Sequence, residues 1–479
     1  MKNLNAAQTD RAVGVLLAAA CGDALGAGYE FTYPPANLVP EMIGGGLGGF
    51  APGEWTDDTA QAAAVAEVAA TGLDLRTPLA LTMIAQRFAD WYAGSPADVG
   101  IRTSAVLRSA GRNPTGETMA AAARQVHDRM GRSAGNGSLM RTGVIALAYL
   151  DDPAGLVDAA IAVSALTHHD PLAGQACAVW CLMIRHAIRD GEFPTYDDIA
   201  EWVPDPDFWR EVIVTAETDD PGSFTQNGWV VGALQAAWSA ITHTPVPADV
   251  PCRHLQDALG TAIRIGHDTD TVAAIAGALL GARWGASAVP AAWRRLLHGW
   301  PSRHGQDLVE LSHLIVGGGK RDRAGWPGLE RLEYSWNQGF VVQHPHDEGV
   351  WLGDLRGLDL LPPEVDAVVT LCRYGRAQVP ASAEHVVFRL IDTTAEDNPN
   401  LGFVLDDVAR TVAELRTQGR VVYLHCVAAQ SRTPTTAAAY STLLGHEPLV
   451  ALQEICAVLP DPRPNPALVR SLSKLKGVR

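Results

Sequence analysis

Basic residues are the scarcer charge in this chain of 479 residues. It carries 37 Lys and Arg against 53 Asp and Glu, which gives a formal net charge of −16. This balance argues against nucleic acid as the main partner, because too few cations are available to neutralise many phosphates. Only 19% of the residues are charged and 47% are apolar, which excludes an acidic disordered chain. The length predicts two or three domains.

Cysteine is also scarce, and none of the seven cysteines stands in a CxxC motif. A disulfide framework or a cysteine-based zinc site is therefore not expected. Cys177 and Cys181 are four residues apart, which places them on one face of a helix and predicts a role in the core.

No continuous apolar run is as long as a membrane span requires. Residues 12–21 superficially resemble the apolar part of a signal peptide, but Asp10 lies at the edge of this run, which continues directly into GDALG at 22–26. We therefore predict a buried first helix, no membrane partner and a cytoplasmic location.

The first 300 or so residues have the pattern of an all-α domain. Apolar residues recur at spacings of three and four, and alternating β-branched runs are nearly absent. Helices are predicted over 12–24, 59–71, 80–91, 117–130, 157–166, 172–190, 229–241, 252–265, 271–284 and 291–297.

The composition changes to glycine and charge near residues 316–328, which is typical of a linker. Beyond it, short β-branched segments alternate with helical stretches, a pattern that predicts an α/β domain with a central sheet. The predicted strands are 349–355, 366–371, 385–391 and 420–424, and the predicted helices are 402–418, 433–444 and 449–458. We predict an all-α domain over 1–318, a linker over 319–334 and an α/β domain over 335–479.

Two acidic motifs far apart in the first domain could carry chemistry: WTDDT at 55–59 and GHDTDT at 266–271. Each precedes an Ala-rich helix, so helix capping is one interpretation. Capping needs only one side chain per helix, however, whereas the motifs supply four carboxylates with neighbouring Thr hydroxyls. If folding brings them together, such oxygen ligands favour Mg²⁺, or Mn²⁺, over zinc.

These motifs, with GDALG at 22–26, GNGSLMR at 135–141 and Thr167–His168, resemble the ADP-ribosylglycohydrolase family over about residues 10–315. The resemblance implies an orthogonal all-helical fold that holds two Mg²⁺ ions, which orient the ribose hydroxyls of an ADP-ribosyl group. The metal ligands that it implies are Thr56, Asp57, Asp58, Asp268, Asp270 and Thr271.

The same resemblance assigns further site residues. Glu30 is similar to a glutamate on a mobile flap near the metals, and Asp98 is similar to an aspartate that contacts the substrate. Either carboxylate could move the proton when the glycosidic bond breaks. The positions implied to hold ADP-ribose are Asn136, Gly137, Ser138 and His168. The expected partner is an ADP-ribosylated protein or a small-molecule ADP-ribose conjugate.

Two glycine patterns have simpler interpretations than a cofactor site. Residues 44–49, GGGLGG, satisfy G-x-G-x-x-G, but Pro52 and Gly53 separate them from the next helix. A flexible flap is therefore favoured over a dinucleotide fold. Gly277 and Gly281 form GxxxG inside a predicted helix, which indicates close helix packing.

In the second domain, Cys426 and Arg432 enclose five residues between a β-branched strand and a helix. Successive loop N–H groups and a helix N-terminus bind an anion in such an arrangement, and the same field favours a thiolate nucleophile. This C-x5-R segment resembles the cysteine-dependent tyrosine and dual-specificity phosphatases over about residues 335–479.

By this resemblance Cys426 attacks phosphorus, Arg432 holds the phosphoryl group and Asp392 protonates the leaving oxygen of a phosphorylated substrate. Asp397 is a weaker candidate for the acid, because it stands later in the loop. The family usually has glycine where Ala429 stands, and an added Cβ could strain or narrow the loop.

The sequence therefore predicts a Mg²⁺-dependent ADP-ribosylglycohydrolase fused to a cysteine-dependent phosphatase. One alternative is a module that binds ADP-ribose and phosphate, with a degenerate phosphatase site. Another is a purely structural helical protein, which the clustered carboxylates argue against, because without cations they would be an electrostatic cost.

Overall fold

A computed structural model describes residues 4–131, 133–334 and 339–475 of the chain. Helices dominate as far as Val316. In chain order they are α1 (Ala6–Gly26), α2 (Asp57–Ala69), α3 (Pro78–Ala93), α4 (Ile101–Ala110), α5 (Gly116–Met130), α6 (Leu139–Thr142), α7 (Pro153–Ala165), α8 (Pro171–Asp190), α9 (Pro206–Thr218), α10 (Val230–His243), α11 (His254–Arg264), α12 (Thr269–Trp284), α13 (Ala291–Leu296) and α14 (Gly305–Val316).

The chain divides into two compact units. Gln8–Val289 and Leu296–Lys320 form most of the first, and the second consists mainly of the residues from Arg321 onwards. The division thus falls between Lys320 and Arg321. The limits proposed from the sequence, with a linker over 319–334, stay a prediction, and Leu332 within that range is buried against the core around Tyr423.

The first unit is helical, as the apolar spacing predicts, with one added hairpin of β1 (His298–Gly299) and β2 (Arg303–His304). Helices α4, α6, α9 and α14 were not predicted. Helix α9 begins at Pro206, which occupies the first position of the helix, where a proline costs no hydrogen bond. Cys177 and Cys181 on α8 are both fully buried, so the predicted core role is confirmed.

Helix α1 is the buried first helix that the sequence predicts. With the turn that follows, it runs over Ala6–Tyr29 and is long and apolar enough to cross a membrane by length and composition, which the count of continuous apolar residues missed. However, 89% of its most apolar window is buried inside the structure. Its apolar character is therefore explained by its place in the core.

Helices α1 and α12 approach each other closely enough to require glycine at their contact. A Cβ added at Gly281 would lie 2.1 Å from the carbonyl oxygen of Gly14, and one added at Gly277 would lie 2.3 Å from that of Ala18. The same holds for Gly22, where the oxygen of Ala273 would be 2.1 Å away. The predicted close packing through GxxxG is thus confirmed, and it brings the end of α1 beside the start of α12.

The second unit contains a five-stranded sheet. The strands are β3 (Val341–His344), β4 (Asp347–Gly353), β5 (Ala367–Thr370), β6 (Glu384–Val387) and β7 (Val422–His425). Their order is β3-β4-β7-β5-β6, with β3 antiparallel to β4 and the other neighbours parallel. The helices after β6 are α15 (Leu401–Thr417), α16 (Arg432–Leu443), α17 (Pro448–Val458) and α18 (Pro466–Leu472).

The α/β class predicted for this part is confirmed, although the short edge strand β3 and helix α18 were not predicted. The predicted strand at 385–391 is shorter in the structure, where β6 ends at Val387. Strand β7 lies at the centre of the sheet, and its four residues are fully buried. Parallel strands end at the same edge, so the residues after β4, β5 and β7 lie close together.

The glycine contact gives a test of the fold. Gly281→Ala should lower the free energy of unfolding by about 1–3 kcal/mol, because its Cβ would meet the backbone of α1 and force the helices apart. Gly402→Ala is the control, since a Cβ there would meet only Ser471 Oγ, at 3.6 Å. Chemical denaturation of both full-length variants measures the difference, and equal stability of the two would contradict the packing argument.

Candidate functional site

The carboxylate of Asp23, near the end of α1, fixes the start of α2. Asp23 is fully buried and accepts hydrogen bonds from Thr59 Oγ1 at 2.6 Å and from the backbone N–H groups of Thr56 and Thr59, both at 3.0 Å. These three hydrogen bonds hold the WTDDT segment against α1. Sequence reasoning did not assign Asp23 a role, although a carboxylate within the apolar GDALG helix was a signal for one.

Asp58 is a buried carboxylate with one oxygen left free. Its Oδ2 accepts hydrogen bonds from Thr56 Oγ1 at 3.2 Å and from Thr271 Oγ1 at 3.3 Å. Its Oδ1 is buried and has no hydrogen-bond partner in the described structure. The preceding residue, Asp57, accepts a hydrogen bond from Gln61 Nε2 at 3.0 Å.

The second acidic motif lies at the start of α12, beside the first. Asp268 is the residue that caps α12, and Asn136 Nδ2 donates to its Oδ2 at 2.7 Å. Asp270 follows in the first helical turn and is buried. The hydrogen bond from Thr271 to Asp58 spans 213 positions of the chain, so the two motifs that sequence reasoning singled out lie in one pocket.

Two groups of carboxylates share Asp270. Oxygen atoms of Asp23, Asp58 and Asp270 lie within 4.8 Å of one another, and the same holds for Glu30, Asp268 and Asp270. Such a set is able to hold cations through oxygen ligands alone.

Burial and mutual repulsion disfavour the ionised forms of these groups. Burial, followed by the charges of neighbouring carboxylates, raises the pKa of Asp57, Asp58 and Asp270 well above the ordinary value. The pKa of Glu30 rises to about 8, through burial and then the charges of Asp98 and Asp268. A cation bound among these carboxylates would offset their repulsion and favour the ionised forms.

Glu30 lies at the rim of this pocket on a segment joined to the GHDTDT motif. The N–H of Phe31 donates to the carbonyl of His267 at 2.6 Å, and the N–H of His267 donates to the carbonyl of Thr32 at 2.9 Å. Phe31 and His267 both have positive φ, and their rings meet edge to face. These two backbone hydrogen bonds hold Glu30 near the acidic cluster. The flexibility of the flap stays a prediction.

The glycine-rich stretch at 44–49 forms a turn closed by hydrogen bonds between Gly45 and Phe50. A Cβ added at Gly46 would lie 2.2 Å from the carbonyl oxygen of Ala27 and 3.9 Å from Glu30 Oε2, so the turn packs close to Glu30.

Asp98 stands two residues before the cap of α4 and is half-buried. Of the neighbouring charges, that of Asp98 does most to raise the pKa of both Glu30 and Asp57, so the structure brings this predicted residue to the same pocket. Its Oδ1 accepts a hydrogen bond from the N–H of Val99 at 2.7 Å.

The residues predicted to hold ADP-ribose lie beside the acidic cluster, except for the side chain of Ser138. Asn136 contacts Asp268, and a Cβ added at Gly137 would lie 3.2 Å from the ring of His168. Ser138 is fully buried, and its hydroxyl accepts a hydrogen bond from Ser164 at 2.8 Å. The Ser138 side chain therefore faces the core, and only its backbone is left for a ligand.

His168 is buried and neutral. Burial, together with the positive charges of Arg141 and Arg102, lowers its pKa to about 3. Thr167 Oγ1 lies 2.8 Å from His168 Nδ1. Sequence reasoning quoted Arg141 and Thr167 as parts of motifs but assigned neither of them a function.

The second unit has its own constellation at the carboxyl end of β7. Cys426 follows β7 directly and is buried, and Arg432 is the first residue of α16. Arg432 donates to the carbonyl of Leu371 at 2.9 Å, while its Nε is buried without a hydrogen-bond partner in the described structure. Between them, Ala429 has a φ of +52°, in the region that favours glycine.

Of the two acids considered for this loop, Asp392 lies beside it. Asp392 Oδ1 accepts hydrogen bonds from Ser431 Oγ at 2.7 Å and from Asn465 Nδ2 at 3.3 Å. Asp397 instead accepts a hydrogen bond from Thr393 Oγ1, within its own segment. Asn465 was not singled out from the sequence.

Comparison with known proteins identifies the larger part of the chain. A family model described as ADP-ribosylglycohydrolase matches residues 4–324. An ADP-ribosyl-(dinitrogen reductase) glycohydrolase of Rhodospirillum rubrum is 30% identical over 59% of this chain and 89% of that protein. An ADP-ribosylarginine hydrolase of Pseudomonas putida is 29% identical over 63% of this chain and 77% of that protein.

A solved chain of an ADP-ribosylglycohydrolase-related protein complex is also similar. It is 26% identical, with a TM-score of 0.50, over 66% of this chain and 99% of that chain. The matched residues include both acidic motifs and the segments that surround them. With its family model matched over well more than half of its length, this chain belongs to the ADP-ribosylglycohydrolase family.

Proposed function

We propose that this chain cleaves the glycosidic bond at C1″ of ADP-ribosyl groups with the help of divalent cations, with Mg²⁺ as the expected ion and Mn²⁺ as the alternative. The observation that carries the proposal is the carboxylate of Asp58, which lies in a group with Asp23 and Asp270 and whose buried Oδ1 has no hydrogen-bond partner among the described residues. A buried, unpaired anion is costly unless a cation lies against it.

The donor set fits a hard divalent ion. It consists of carboxylate and hydroxyl oxygens, without sulfur, which favours Mg²⁺ or Mn²⁺ over zinc. The residues that would hold two ions are Thr56, Asp57, Asp58, Asp268, Asp270 and Thr271. When bound, the ions supply positive charge that offsets these carboxylates and attracts the hydroxyl oxygens of the ribose.

The residues around this cluster would transfer the proton and hold the substrate. Cleavage passes through a centre with oxocarbenium character, which neighbouring carboxylates stabilise, and a proton must move to the leaving group. The charge of Asp98 raises the pKa of Glu30, so the two carboxylates lie near each other, and either could carry the proton. Asn136, Gly137, the backbone of Ser138 and His168 would hold the ADP-ribose.

The substrate that we propose is an ADP-ribosylated protein or a small-molecule ADP-ribose conjugate. The names of two relatives refer to ADP-ribosylated dinitrogen reductase and to ADP-ribosylarginine. A cytoplasmic location also stays a prediction.

Replacing a ligand carboxylate should separate activity from stability. Asp58→Asn should lower ADP-ribose release by about a hundredfold or more, while without metal it should be as stable as the wild type, because one repelling charge is removed.

EDTA should abolish wild-type activity and added Mg²⁺ should restore it. Release of ADP-ribose from ADP-ribosylarginine and thermal unfolding are the measurements, with exposed Asp249→Asn as the control. Full activity of Asp58→Asn, or in EDTA, would refute the metal site.

We also propose that the second unit binds phosphate esters at the loop from Cys426 to Arg432 and hydrolyses them. The supporting observation is the buried Arg432 Nε, a cationic donor without a partner among the described residues, at the start of a helix that follows the central strand. The Cys426 sulfur would bond to phosphorus and displace the alcohol, which takes a proton from Asp392. Water would then release phosphate and the free thiol. The alternative is phosphate binding without turnover.

Hydrolysis of a simple aryl phosphate distinguishes these two functions of the second unit. Cys426→Ser should abolish the release of the aryl alcohol, because serine is a much weaker nucleophile than a thiolate in this loop. Cys456→Ser, at a half-buried cysteine outside the loop, should keep the wild-type rate. If the wild type and Cys426→Ser release the alcohol at the same rate, phosphate binding alone is favoured.

Ala429 gives a further test of the same loop. Because an L-residue at a φ of +52° is strained by about 1–2 kcal/mol, Ala429→Gly should stabilise the protein by roughly 0.5 kcal/mol after the added flexibility of the unfolded chain is subtracted. Ala438→Gly, inside α16, should destabilise it by about 1 kcal/mol. Chemical denaturation measures both, and a loss of stability in Ala429→Gly would show that the loop does not need this conformation.

A further inference from the structure

Arg141 is a buried cation whose neighbours are neutral. The residue is fully buried, and within the described residues no carboxylate lies at ion-pair distance from its guanidinium. Its Nη1 donates to Gln61 Oε1 at 2.5 Å, its Nη2 donates to Thr167 Oγ1 at 2.6 Å, and its Cζ lies 4.5 Å from the centre of the Phe88 ring. Its Nε is buried without a hydrogen-bond partner.

A cation in this position is costly by itself. Burial lowers the pKa of Arg141 to about 10, so the group still carries its charge at neutral pH. Removing such a charge from water is unfavourable unless other charges compensate for it. The negative charge of Asp57 favours the ionised guanidinium. Arg141 therefore lies close enough to the acidic cluster to interact with it electrostatically.

The first connection runs through Gln61 to Asp57. A guanidinium only donates hydrogen bonds, so the Gln61 atom that faces Arg141 must be the amide oxygen. The amide nitrogen then faces Asp57 and donates to its Oδ2 at 3.0 Å. Gln61 is fully buried and cannot turn its amide without losing both contacts. Arg141 thus fixes the orientation of the Asp57 carboxylate through one neutral side chain.

The second connection runs through Thr167 to His168. Because Arg141 donates to Thr167 Oγ1, the hydroxyl proton of Thr167 is free for the nearby His168 Nδ1, at 2.8 Å. His168 is neutral, so a ring that accepts at Nδ1 carries its proton at Nε2. A Cβ added at Gly137 or at Gly135 would lie 3.4 Å or 3.6 Å from that nitrogen, so Nε2 faces this glycine segment.

We propose that Arg141 is a positioning residue that orients two parts of the pocket at once: the Asp57 carboxylate through Gln61, and the Nε2–H tautomer of His168 through Thr167. The inference rests on the proposed function, in which Asp57 holds a divalent ion and His168 contacts ADP-ribose. The two connections are separate, so breaking one of them should affect only one ligand.

The test uses the intermediates, because replacing Arg141 itself could prevent folding. Gln61→Met removes the contact with Asp57 and should weaken Mg²⁺ binding about tenfold, with ADP-ribose affinity at saturating Mg²⁺ within about twofold of the wild type. Thr167→Val removes the hydroxyl and should weaken ADP-ribose binding about tenfold, with Mg²⁺ affinity nearly unchanged. Thr167→Ser keeps the hydroxyl and should recover most of the ADP-ribose affinity. Isothermal titration of the full-length proteins measures each constant.

The outcomes separate this inference from the proposed function. If the wild type binds both ligands but the two variants weaken both equally, or change only thermal stability, Arg141 has a structural role alone and the inference is overturned. If the wild type binds neither Mg²⁺ nor ADP-ribose, the proposed function fails and the inference falls with it. If Thr167→Ser behaves like Thr167→Val, the tautomer argument is wrong.

Discussion

The constraint on which the first unit depends is the repulsion among carboxylates that are buried in one pocket. Asp58 and Asp270 are almost fully enclosed, and burial and the charges of neighbouring carboxylates raise the cost of ionising each of them. Nothing in the local preferences of a chain would bring these groups together. The packing of α1 on α12, where glycines let the backbones touch, holds them at this distance, so the geometry of the site is maintained by helix packing against an electrostatic cost.

The fold reduces this cost in three ways. The α2 and α12 helices both begin at the cluster, so the positive ends of their dipoles and their free N–H groups face the acids. Asp23 is satisfied by three donors from the Thr56–Thr59 turn and therefore acts mainly as a support. Arg141 adds a buried positive charge, which interacts with Asp57 and donates hydrogen bonds to Gln61 and Thr167. Among the described residues, Asp58 Oδ1 is still without a hydrogen-bond partner.

The second unit uses a different principle, since its candidate groups come from strand ends and not from helix caps. Parallel strands β5 and β7 pair in register up to Thr370 and His425, so the segments that follow them leave the sheet side by side. Cys426 and the carbonyl of Leu371, which Arg432 contacts, are thereby neighbours although 55 positions separate them. In this unit the sheet holds the segments in place, and the backbone N–H groups of the loop between β7 and α16 are the hydrogen-bond donors.

The sequence by itself determined the classes of both units, the two acidic motifs and the Cys426–Arg432 spacing, because these depend on periodicity and on residues within a few positions of one another. It also indicated the tight helix contact through Gly277 and Gly281. Only the tertiary structure decided that the Ser138 hydroxyl faces the core, that Asn465 contacts Asp392, and that Asp23 supports α2. Each of these depends on contacts between residues distant along the chain, which spacing does not encode, since packing alone decides which distant donor meets which oxygen.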